Sequence, residues 1–223
     1  NVINEVVVGE GANVKLDKIQ NENLNTFHVG ADFAKQQKNS VFTINTIPAN
    51  AKLIRNNLNI ILDGTNSVAN LYGAVCLNGN IHVDNQTYVD HAKPNCESNE
   101  LYKAVLNDSA TNVFNGKIYV NKIAQKTNAF QSNANIILSD NASSNAKPQL
   151  EIYADDVKCS HGCTIGQFDD EALFYLRSRG MRESTAQKVL LDAFIGEVLD
   201  NIKTEPVREY VDELIAENFN SLN

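Results

Sequence analysis

Asparagine supplies 32 of the 223 residues, and 28 of these lie between Asn1 and Asn145; none falls between Ala146 and Asp200. Asn is a poor helix former that tolerates left-handed backbone and pairs through its side-chain amide, so such enrichment favours turns and closely spaced strands over helices. Charge divides the chain at nearly the same place. Residues 1–150 carry 12 basic and 12 acidic side chains, whereas residues 151–223 carry 7 and 15, which accounts for the whole net charge of −8. A neutral Asn-rich part and an acidic Asn-poor part imply two modules. Neither is basic, which argues against a nucleic-acid backbone or an anionic membrane as partner.

The first part reads as short strands. Leu58, Ile60 and Leu62 alternate with Asn57, Asn59 and Ile61, and Asp63-Gly64 follows as a turn. Comparable runs occupy Val41–Ile47, Tyr72–Leu77, Ile81–Val83, Lys117–Val120, Ile136–Leu138 and Leu150–Tyr153. Asn78-Gly79, Asn115-Gly116 and the polar stretch Ser139 to Asn145 read as the turns between them. Two architectures remain open on this pattern. A hairpin sandwich uses Asn-Gly turns; a stacked parallel solenoid uses Asn within strands and at corners, where amides ladder from coil to coil. No repeat of fixed period decides between them.

The last part reads as three helices. Asp169 or Asp170 caps the first, which runs through Glu171 to Leu176 and stops at Gly180. Ser184 and Gln187 have capping-box spacing ahead of a stripe of Ala186, Val189, Leu190, Ala193, Phe194 and Val198. Thr204 and Pro206 open a third helix with Val207, Tyr210, Val211, Leu214 and Ile215 along one face. About 50 residues of helix make a thin core alone. They are expected to pack on the end of the β part or to offer an apolar face to a partner.

Chemistry-bearing residues are few. The cysteines are Cys76, Cys96, Cys159 and Cys163, and a chain of this length is not a small disulfide scaffold. No run approaches the ~20 apolar residues of a membrane helix and nothing at the N-terminus resembles a signal peptide, so a soluble, cytoplasmic protein with reduced thiols is expected. Sequons at Asn85, Asn107 and Asn141 match chance occurrence in so Asn-rich a chain. Phosphate-binding glycine loops and the G-x-S-x-G elbow are missing, and single acids such as Asp63, Asp84 and Asp90 also fit turns.

The most informative segment is Asp155 to Gly166. Val157, Cys159, His161, Cys163 and Ile165 sit two apart, so an extended strand puts all five on one face. Two thiols and an imidazole suit zinc, or iron in a cluster. Side chains two apart on a flat strand emerge ~6.5–7 Å from each other, too far for one ion unless Gly162 kinks the strand. The plainer reading makes Cys159 and Cys163 small core residues and His161 a hydrogen-bonded core histidine. His82, His91 and Cys96 share a loop-rich stretch and carry a weaker version of the same ambiguity.

Longer runs carry a family resemblance. Gln149 to Gly162, followed by Glu171-Ala172-Leu173-Phe174-Tyr175-Leu176-Arg177-Ser178-Arg179-Gly180, closely resembles the SufB/SufD family of iron–sulfur cluster assembly scaffold proteins. So do Asp90-His91-Ala92-Lys93-Pro94, Glu100-Leu101-Tyr102-Lys103 and Val113-Phe114-Asn115-Gly116-Lys117-Ile118. The Lys158-Cys159-Ser160-His161-Gly162 run favours the SufD branch over the SufB branch. The chain resembles the C-terminal half of such a protein, in keeping with Met181 as its only methionine.

The resemblance implies a mainly β protein, a right-handed parallel β-helix over residues 1–166 followed by a small α-helical domain over residues 167–223. It implies a non-catalytic subunit that pairs with a SufB-type paralogue through β-helix edges and binds a SufC-type ATPase, where ATP is hydrolysed. The docking residues it implies for that ATPase are Leu173, Phe174, Tyr175, Leu176, Arg177, Arg179 and Phe194. It places His161 at the SufB-type interface with Cys159 beside it, while Cys163 departs from the family pattern and stands as an extra thiol or ligand. No cofactor is expected to be held stably; an iron–sulfur cluster is expected only transiently, in the complex. In isolation the β-helix edges offer a route to a homodimer. The alternatives are a β-helix acting alone on carbohydrate, and an independent metal or cluster carrier using Cys159, His161 and Cys163.

Overall fold

In the computed structural model, which describes residues 1–220, twelve parallel strands stack into a solenoid of about six turns and three helices follow. The strands are β1 (Val2–Val8), β2 (Asn13–Asn21), β3 (Phe27–Gln36), β4 (Val41–Asn50), β5 (Leu53–Leu62), β6 (Val68–Leu77), β7 (His82–His91), β8 (Glu97–Leu106), β9 (Thr111–Val120), β10 (Thr127–Ile137), β11 (Ser143–Ile152) and β12 (Val157–Gly166). Odd strands form one sheet in the order β1-β3-β5-β7-β9-β11, and even strands form the other, β12-β10-β8-β6-β4-β2. Each turn thus contributes one strand to each sheet. This resolves the choice between sandwich and solenoid in favour of the parallel β-helix.

The asparagines explain the coil. Gly11, Asn39, Asn66, Asn95 and Lys126 all adopt positive φ, between 57° and 69°. Each lies two residues ahead of register-matched positions in β2, β4, β6, β8 and β10. One corner therefore repeats a left-handed residue in five successive turns, a conformation Gly and Asn adopt at least cost. Asn66 Nδ2 donates to Asn39 Oδ1 (3.2 Å) along this corner. Ladders also run inside, where buried Asn56 donates to Asn85 (3.0 Å), and on the sheet, where Asn99 donates to Asn70 (3.3 Å). Buried amides need such partners.

The missing sequence period also has a cause. Phe27 pairs with Leu53, 26 residues on, whereas Thr111 pairs with Ser143, 32 residues on. The strands stay near ten residues and the corners absorb the difference. Two turn assignments need correction. Asn115-Gly116 lies in the middle of β9, and the Ser139–Asn145 stretch is corner only as far as Ala142, with Asn145 already in β11. Asp63-Gly64 is a corner as expected. A Cβ on Gly64 would stand 2.0 Å from Lys38 N and 2.3 Å from Gln37 C, backbone atoms of the preceding turn. Gly64→Ala should therefore cost about 3 kcal/mol through overpacking that no side chain can relieve. An unchanged urea midpoint would show that the corners do not touch so closely.

The helices are α1 (Asp170–Ser178), α2 (Glu183–Leu199) and α3 (Glu205–Asn220). Asp169 caps α1 by accepting from Glu171 N and Ala172 N, and Gly180 ends it at φ 92°. The capping box at Ser184 does not form: Arg182 is the N-cap, without a side-chain hydrogen bond, and Ser184 already sits inside the first turn. The buried stripe of α2 is Ala186, Leu191, Ile195, Val198 and Leu199, rotated from the expected one, so that Val189 and Ala193 face solvent. α2 and α3 lie along the flank of the even-strand sheet, not over the end of the β part as one sequence expectation had it. Leu191, Ile195, Val198, Val211 and Ile215 pack there on Ile47, Ala74, Cys76 and Val105. The central strands β4, β6 and β8 are consequently buried on both faces along the stretches the helices cover, while the odd-strand sheet turns one face to solvent. Residues 221–223 of the expected helical domain lie outside the described residues. Among the described residues no helix is long and apolar enough to cross a membrane.

Candidate functional site

Among the described residues β12 is an edge strand, bonded only to β10, and β11 is bonded only to β9. The final turn of the solenoid is therefore covered on one side and open on the other. Period-2 alternation carries Val157 and Cys159 inward, where both pack against the interior cluster, and the same alternation puts His161, Cys163 and Ile165 on that inward row. Exposure rises along the row because nothing stacks above it: Cys159 is half-buried, and His161 and Cys163 are exposed. The shared face read from the sequence is thus present.

Each of these side chains has a register partner on β10. Cys159 stands over Ala129, His161 over Gln131, and Cys163 over Asn133. Cys163 Sγ donates weakly to Asn133 Oδ1 (3.8 Å), an oxygen that also accepts from Asn135 Nδ2 at 2.7 Å. Burial raises the pKa of Cys159, partly offset by a backbone hydrogen bond at Ala129, and burial also raises that of Cys163. Both thiols are therefore protonated at neutral pH, and among the described residues no hydrogen bond joins His161 to either. The three do not converge: among the described residues no group of three or more His, Cys, Asp or Glu side chains is close enough to hold a metal ion. An ion held on this row needs ligands from beyond this chain or a rearranged strand.

Beside the row runs a groove of about 650 Å³. Leu101, Phe130, Ser160, His161 and Gly162 line it from the sheet, and Glu197 of α2 and Asn201, just past its end, line it from the helical side. Lys103, almost fully buried, fastens the two sides. Its Nζ donates to Phe194 O (2.9 Å), pairs with Glu197 and lies 4.6 Å from the centroid of the Phe194 ring.

The implied docking residues divide into two sets. Phe174 and Tyr175 are exposed on α1, which buries none of its residues, and Arg177 and Arg179 are exposed beside them. Arg179 stacks on Tyr175 at 5.3 Å, and Arg177 pairs with Glu183 at 3.3 Å. Leu173 and Leu176 are half-buried, Leu173 against a cavity it shares with Ile137, Leu138 and Phe168. Phe194 packs into the chain's own core. The weaker candidates separate fully: His82 opens β7, His91 is buried at its end and donates to or accepts from Ser98 Oγ (2.9 Å), and Cys96 is buried against Ser67 and Gly64 O. They are strand and corner residues rather than members of a loop. What sequence reasoning missed is Glu100 and Gln131, polar side chains buried directly beneath His161; only the coil register reveals them.

The fold is thus a parallel β-helix flanked by helices, with a cysteine–histidine row on its open last turn. Residues 1–194 match the family model for the SUF system iron–sulfur cluster assembly SufBD core domain, and the chain belongs to this SufBD family. Its likeness lies with SufD-type members. SufD of Escherichia coli strain K12 is 40% identical over 71% of this chain and 38% of its own length. A SufBD-family iron–sulfur cluster assembly protein of Synechocystis is 37% identical over 91% of this chain and 45% of its own, and chloroplastic ABCI7 of Arabidopsis thaliana is 32% identical over 94% and 44%. The chain spans less than half the length of each of these relatives.

Proposed function

We propose that this chain is the non-catalytic half of a partnership in iron–sulfur cluster building. Its last solenoid turn joins a SufB-type paralogue, and its helices hold a SufC-type ATPase. The observation that carries the reading is the open final turn. It presents unpaired strand edges, ready templates for another chain, and the same turn displays Cys159, His161 and Cys163. Because those three do not close around an ion by themselves, a site completed by the paralogue fits them better than an independent carrier. A cluster or iron there is cargo, held while the complex is assembled. Pairing with a second copy of this chain through the same edges is the competing use of that surface.

The exposed Phe174, Tyr175, Arg177 and Arg179 on α1 form the docking surface, aromatic and arginine anchors of the type that dominates interfaces. Phe194 acts from within: with Lys103 it clamps α2 to the sheet, so a movement of the docked ATPase is passed to the groove wall beside His161. ATP hydrolysis belongs to that partner.

Co-purification tests the assignment. The chain should retain a SufC-type ATPase on an affinity column, and Phe174→Asp should weaken binding by about 2 kcal/mol or more, roughly thirty-fold. A wild-type chain that fails to retain the ATPase, or a Phe174→Asp chain that binds as well as wild type, would overturn the docking assignment.

A further inference from the structure

Three inward positions occupy one row across successive turns: Glu100 on β8, Gln131 on β10 and His161 on β12. The first two are buried, at 4% and 2% exposure. Gln131 Nε2 donates to Glu100 Oε2 at 2.6 Å, a short hydrogen bond. That bond points the amide nitrogen back towards the preceding turn. The two arms of an amide diverge, so Gln131 Oε1 is turned away from Glu100. It is buried and makes no hydrogen bond among the described residues, although a buried carbonyl oxygen is costly to leave unmatched. The register partner on the following turn is His161, whose imidazole carries a ring N–H in either neutral tautomer.

A second feature shows that the interior is shaped around this amide. Gly116, in the middle of β9, faces inward from the opposite sheet, and a Cβ there would lie 2.0 Å from Gln131 Nε2 and 2.8 Å from Phe114 Cζ. The glycine that reads as a turn in sequence is instead the space through which the Gln131 side chain reaches Glu100.

We infer that Gln131, held by Glu100, is the positioning residue of His161: its Oε1 accepts from one imidazole nitrogen and so fixes the ring's tautomer and leaves the other nitrogen free at the open end of the solenoid. This deepens the proposed function, since it rests on His161 being a working residue of that end. In metal and cluster sites the group behind the imidazole commonly decides which nitrogen faces the ion. Here that group is an amide oriented by a buried carboxyl group one turn further in. Neither residue touches the cargo.

The chain has four histidines, so nitrogen NMR of 15N-His-labelled protein can follow each ring, with the His161 signals assigned by their loss in His161→Ala. Free of any partner, wild-type His161 should show a single neutral tautomer with a slowly exchanging ring proton. Gln131→Met, similar in volume but without the acceptor, should lose that proton signal and show both tautomers. Glu100→Gln leaves an oxygen for Gln131 to donate to and should keep the wild-type pattern. A loss there as well would mean that the charge acts directly on the ring, and it overturns the relay. Two exchanging tautomers in wild type, or an unchanged ring in Gln131→Met, overturn the inference even if one variant folds poorly, because the wild-type spectrum decides alone. Those outcomes do not depend on cluster delivery, so they separate this inference from the functional proposal beneath it.

Discussion

A protein carrying His161→Ala should assemble with its partners as well as wild type and deliver no clusters. Its side chain is exposed on the last turn and packs into no core cluster, so its removal leaves the solenoid and helical layer intact. The ATPase is expected to dock through α1, on a different element, and the paralogue to pair through the backbone edges of the last turn rather than through this side chain. The two measurements are therefore separable: co-purification of the complex, and restoration of cluster-dependent enzyme activity in cells lacking the native protein. Assembly should be unchanged while delivery falls to the level of cells with no protein at all. Wild-type delivery by His161→Ala would remove the histidine from the proposal. Loss of assembly would instead make it an interface anchor.

The second large effect concerns stability and pH. Burial pushes the Glu100 carboxyl up to about 7 from an ordinary 4.5, only partly offset by hydrogen bonding that includes Gln131. Between those values the folded chain keeps a proton that the unfolded chain has released. The associated stability is full below about 4.5 and declines as pH rises to about 7, a change of about 3 kcal/mol. Burial drives His91 the other way, down to about 4 from 6.5. There the unfolded chain binds the proton, so stability is full above about 6.5 and is lost as pH falls to about 4, again by about 3 kcal/mol. The two slopes oppose each other in the overlap, and wild type should be nearly flat from about 4.5 to 6.5. Glu100→Gln removes one arm. It should leave a curve that rises with pH and should be more stable than wild type at pH 8 by about 3 kcal/mol. Denaturant melts across this range decide it, and a Glu100→Gln profile superimposable on wild type would refute the buried-acid account.

What was legible in the sequence was local. The alternation Val157–Cys159–His161–Cys163–Ile165 reads correctly because its period is two and its partners are neighbours. The cap at Asp169 and the stop at Gly180 read correctly for the same reason. Asn115-Gly116 misled because a dipeptide says nothing of the Gln131 amide that occupies the missing Cβ's place from another strand. The stripe of α2 was displaced because Leu191 and Ile195 are chosen by Ala74 and Val105 on the sheet, not by the helix alone. Glu100, Gln131 and His161 are 31 and 30 residues apart, and corners of unequal length hide the step. The family resemblance supplied the solenoid, which the strand pattern left undecided, but it did not indicate what lies under His161.

A solenoid is a one-dimensional stack, and its rungs do not share equally in its stability. An inner rung is gripped from both sides, whereas the rung bearing β12 is gripped from one. Like the last subunit of a filament, it can loosen without disturbing those behind it, and the free energy of its opening lies well below that of global unfolding. Cys159, His161 and Cys163 thus ride on the part of the molecule that rearranges at least cost. A partner that adds the next rung would turn this end into an interior, so that the same event recognises the paralogue and sets the geometry of the row.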